Sequence, residues 1–80
     1  MNIKLIKNKV EKITKGKIAK QNWRYYADLT KEICNEYAYF STCLDTKMAQ
    51  ECCDIRRRLE TWLNSNLSED DMVAYYQYLD

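Results

Sequence analysis

Histidine and proline are absent from this 80-residue chain, and glycine occurs once, at Gly16. Without histidine the chain lacks the usual general base, the commonest metal ligand and the side chain that ordinarily titrates between about pH 5 and 8. With a single glycine it has no phosphate-cradling loop and few residues suited to tight turns. Such a composition favours helices joined by short polar connections. Also missing is any apolar run near the ~18 residues a membrane span requires. The N-terminal lysines are not followed by an apolar core or a small-residue cleavage site, so no secretory leader is expected and a cytoplasmic protein is.

Four cysteines, Cys34, Cys43, Cys52 and Cys53, follow a C-x8-C-x8-C-C spacing. No CxxC pair and no histidine accompany them, so the pattern does not read as a zinc site, and neither metal nor cofactor is expected. Reduced, partly buried thiols acting as small hydrophobes are the simpler reading. Catalysis is not expected either. No Ser-His, Cys-His or paired-carboxylate arrangement can be assembled, and every candidate nucleophile lacks an activating base.

What the chain does have is partitioned charge. Residues 1–24 carry eight basic side chains against the single acid Glu11, and residues 25–80 carry five basic against eleven acidic. A summed +1 therefore conceals a local +7 beside a local −6. A basic end joined to an acidic body implies a charged partner, or the meeting of the two ends within or between molecules. Lys, Asn, Ile and Tyr together supply 28 residues. Their codons are AT-rich, which fits a phage- or mobile-element-encoded protein.

The apolar spacing predicts one domain, an all-α bundle of three or four helices. In the basic segment 1–18, Ile3, Ile6, Val10 and Ile13 form a narrow helical stripe that Gly16 would cap. Their β-branching leaves a strand or loose arm open as alternatives. Over 20–42, Trp23, Tyr26, Ile33, Cys34, Tyr37 and Phe40 share a face, widened by Tyr25 and Leu29. Over 46–64, Met48, Cys52, Ile55, Leu59 and Trp62 repeat at four, three, four and three, the seam of a packed helix. The last helix, 68–79, starts at Ser68 as N-cap, with Asp71 as a capping-box-like partner and Leu67 and Met72 as a staple. Met72, Val73, Tyr76 and Leu79 form its expected inner face.

That phasing turns Tyr75 and Tyr78 outward, beside Asp70, Asp71 and Asp80. Tyrosine is frequent at binding surfaces because it offers large area at low entropic cost. Arg56, Arg57 and Arg58 fan around their helix, and Asp54 and Glu60 stand four residues from Arg58 and Arg56 as ion-pair partners. Arg57 is left without one. The leading expectation is a non-catalytic binding protein that engages and modulates or inhibits a macromolecule, most readily another protein, through Arg57, Tyr75, Tyr78, Asp70 and Asp71. An alternative is a nucleic-acid-binding regulator using Lys12, Lys15, Lys17, Lys20 and Arg24, whose charges can neutralise successive phosphates. A third is a structural homodimer whose seam is the aromatic helix 20–42. Attachment to anionic lipid fits less well, because the apolar stripe of the basic segment is thin and has no aromatic residue.

Overall fold

A computed structural model describes residues 2–80 as four helices, α1 (Ile3–Thr14), α2 (Trp23–Thr42), α3 (Thr46–Asn66) and α4 (Glu69–Leu79). There is no strand among the described residues, and the all-α bundle expected from the spacing is present with four helices. The basic segment is a helix, not an arm. Ile3, Ile6, Val10 and Ile13 are all buried, and their packing outweighs the modest propensity penalty of β-branched residues.

The helix starts follow one rule. Asn2, Asn22, Asp45 and Ser68 each accept a hydrogen bond from a backbone N–H in the first turn of the following helix, meeting donors that have no intrahelical partner. The ends differ. Gly16 takes a positive φ of 71°, with its N–H bonded to the Ile13 carbonyl and that of Lys17 to the Lys12 carbonyl. This pair of bonds is a Schellman motif, in which glycine escapes the steric cost of the left-handed conformation. At the α2–α3 turn, Leu44 stands in the same conformation at φ 58°. The expected end of α3 at residue 64 falls short, since Asn64 and Asn66 bond back to carbonyls four residues earlier and the helix runs through Asn66.

α2 packs most extensively on α3, and this hairpin is the frame of the bundle. α1 lies chiefly against α3 and α4 chiefly against α2, while α1 and α4 make no close contact with each other. The pairs Lys7–Glu51 and Glu11–Arg58 advance together along both helices, so α1 runs parallel to α3. That direction brings the end of α1, the start of α2 and the end of α3 to one end of the bundle; Lys20 Nζ bonds to the Asn66 carbonyl there at 2.6 Å. The α2–α3 turn forms the opposite end.

Candidate functional site

The α4 surface expected from the sequence is not formed as anticipated. Tyr75 is fully buried, whereas Val73 and Tyr76 are about half exposed, at 51% and 42%. The hydroxyl explains the phase. Tyr75 Oη donates to Glu60 Oε2 at 3.0 Å, so its lone pair is free to accept the Thr30 hydroxyl at 2.7 Å. Arg56 Nε stands 3.4 Å from the same Glu60 oxygen. Burial pushes the Tyr75 phenol well above its ordinary range; the Thr30 bond opposes the shift and the Glu60 carboxylate adds to it. A tyrosine held this way is part of the core.

Tyr78 is half-buried and held by α2. Its hydroxyl donates to Asp28 Oδ1 at 2.7 Å, its ring meets Trp23 edge-on at 5.8 Å, and Arg24 and Lys31 lie over it at 5.0 and 3.9 Å. Asp70 and Asp71 occupy the first turn of α4, with the Asp71 N–H bonded to Ser68 Oγ at 3.2 Å. There the helix dipole favours anions, which is a structural role.

The basic side chains line two depressions instead. Lys12, Lys15 and Lys17 are exposed and line a shallow depression of about 230 Å³ with Asn8 and Glu11. Arg57 is exposed, and among the described residues no carboxylate pairs with it. It lines a larger groove of about 540 Å³. One wall is Thr14 at the end of α1; the rest is the outer stripe of α3, from Asp54 through Arg58, Thr61 and Trp62 to Ser65. Arg58 joins the two depressions, reaching Glu11 of α1 at 3.9 Å. Its expected partner, Asp54, accepts from Gln50 instead. The two remaining candidates are occupied: Lys20 by the Asn66 carbonyl and Arg24 by the Tyr78 ring.

Sequence reasoning missed Arg58, Trp62 and the hydroxyls of Thr14, Thr61 and Ser65. The signal was the polar stripe 54, 57, 58, 61 and 65 at helical spacing. Trp62, assigned to the packing seam, is only half-buried; it meets Tyr26 at 5.5 Å on one side and the groove on the other.

All four cysteines are free; Cys52 is buried, Cys34 and Cys53 are half-buried and Cys43 is exposed. The expectation of partly buried thiols thus fails at Cys43. Burial raises the Cys52 thiol to about 11, with Glu36, Cys53 and Glu51 adding to the shift, so it stays protonated at neutral pH. Arg56 Nη1 donates to Cys34 Sγ at 3.3 Å. Among the described residues no three cysteine or acidic side chains converge as a metal site would require, and no helix is long and apolar enough to cross a membrane. No family model matches the chain, and neither a curated protein nor a solved structure matches it.

Proposed function

We propose that this chain is a small non-catalytic binding protein that captures an anionic macromolecule, nucleic acid before protein, on its basic end and modulates it by occupancy. One observation carries the reading. Arg57 and Arg58 of α3 line one depression, Lys12, Lys15 and Lys17 line another, the Arg58–Glu11 pair links the two, and the acids lining them are Glu11 and Asp54. Clustered, solvated cations release counterions from a phosphate backbone on binding. An α4-directed protein partner is the weaker reading, because Tyr75 is in the core and Tyr78 is held by α2.

The test is charge reversal with a matched control. Lys15→Glu with Lys17→Glu should abolish binding of a labelled oligonucleotide at low salt. Lys4→Glu with Lys47→Glu, exposed lysines at the starts of α1 and α3 and away from that end of the bundle, should lower affinity only slightly. Equal losses would assign binding to net charge alone.

The α2–α3 turn favours a second reading. Leu44 is 85% exposed and shares a depression with Tyr37, itself 44% exposed, a patch suited to a second copy of the chain. A strict monomer at high concentration would remove it.

A further inference from the structure

We infer that the α1–α3 groove takes an unpaired base of single-stranded nucleic acid, stacked on Trp62 with a flanking phosphate on Arg57. This rests on the reading of the basic end as a nucleic-acid surface and specifies what that surface selects.

Three observations carry it. First, the groove combines cations with an aromatic ring. Trp62 stands four residues from Arg58 and five from Arg57 on α3, and all three line the same opening. Bases of any sequence stack on such a platform while arginine holds the backbone. Second, the platform is rigid before binding. Trp62 is braced edge-on at 5.5 Å against Tyr26, and Tyr26 is itself 1% exposed, with its hydroxyl accepting the Gln21 N–H at 2.9 Å. A ring fixed in this way loses little freedom when a base lies on it. Third, the lining suits a nucleotide. The hydroxyls of Thr14, Thr61 and Ser65 around the ring can each donate to or accept from a base edge or sugar.

Duplex chemistry fits the same groove poorly. Paired bases are stacked inside the helix, so a duplex can lay phosphates on Arg57 and the lysines without presenting a ring to Trp62. Asp54, at one end of the stripe, repels phosphate and confines the backbone to the arginine and lysine side.

Two tryptophans make the test direct, because Trp23→Phe leaves Trp62 as the sole indole. That variant is titrated with an unstructured oligothymidine, a duplex of equal length and a polyglutamate peptide at one fixed salt concentration. The expected result is fluorescence quenching by the single strand and none by the duplex. In the otherwise native chain, Trp62→Ala should weaken single-strand binding about tenfold and leave duplex binding unchanged. Trp62→Phe keeps a stacking face and the contact with Tyr26, and should retain most of the affinity; its loss of binding with an intact fold would count against stacking. Single strand and duplex bound equally, with no quenching, would overturn this inference and leave the basic-end reading standing. Failure to bind any polyanion would remove both. Polyglutamate bound more tightly than either nucleic acid would overturn it and give the groove to an acidic protein segment.

Discussion

The two ends of this bundle close a helix with the same backbone turn and opposite residue choices. At the basic end, Gly16 takes φ 71° and satisfies the last carbonyls of α1. At the far end, Leu44 takes φ 58°, with its own N–H on the Ser41 carbonyl and that of Asp45 on Phe40. Glycine adopts that conformation freely, whereas a side chain pays about 1–2 kcal/mol for it. Leu44 also leaves 85% of its surface in water, so only the capping bonds, and no side-chain burial, offset the strain. The basic end therefore obeys local folding rules, and what distinguishes it is clustered charge. The far end breaks a local rule, and a leucine that is both strained and exposed directs attention to an intermolecular contact.

The largest change in stability should come from the residue that ties α4 to the hairpin between these ends. Tyr75→Phe leaves Thr30 and Glu60 without their shared partner and should cost about 1–3 kcal/mol. Tyr76→Phe, on the exposed side, should stay within about 0.5 kcal/mol. Chemical denaturation of the two variants checks the assignment; the reverse order would restore the outward phase for Tyr75.

The caps come next and test the comparison itself. Gly16→Ala, at a site where an added Cβ meets nothing within 4 Å, should destabilise by about 1 kcal/mol through backbone strain alone. Leu44→Gly should change stability in the opposite direction or leave it flat, because relief of strain is partly offset by a more flexible unfolded chain. Clear destabilisation by Leu44→Gly would mean that the leucine packs within the monomer, and the contrast between the ends would fail.

Much of this architecture is legible in the residues, and the failures share a cause. The three-four-three spacing of Ile3, Ile6, Val10 and Ile13 is a helix in the molecule, Gly16 caps it, and Ser68 starts α4. The face of α4 is not legible. Met72, Tyr76 and Leu79 fit helical periodicity as well as Met72, Tyr75 and Leu79 do. The choice falls to Thr30 and Glu60, 45 and 15 residues away from Tyr75 in sequence. Arg58 follows the same logic: a local acid, Asp54, stands at the right spacing, but α1 lies parallel to α3 and presents Glu11. The groove, too, exists only once that parallel packing sets Thr14 beside Arg57, Arg58 and Trp62. Local rules locate helices and caps; pairings between helices depend on the direction in which they pack.

The cations gathered along α1 and α3 are the proposed binding surface. Its most direct test is the salt dependence of oligonucleotide binding for the native chain and for Arg57→Ala. Affinity should fall linearly in log–log form with salt, with a slope shallower by about one for the variant. Identical slopes for the two proteins, or no binding at low salt, would contradict it.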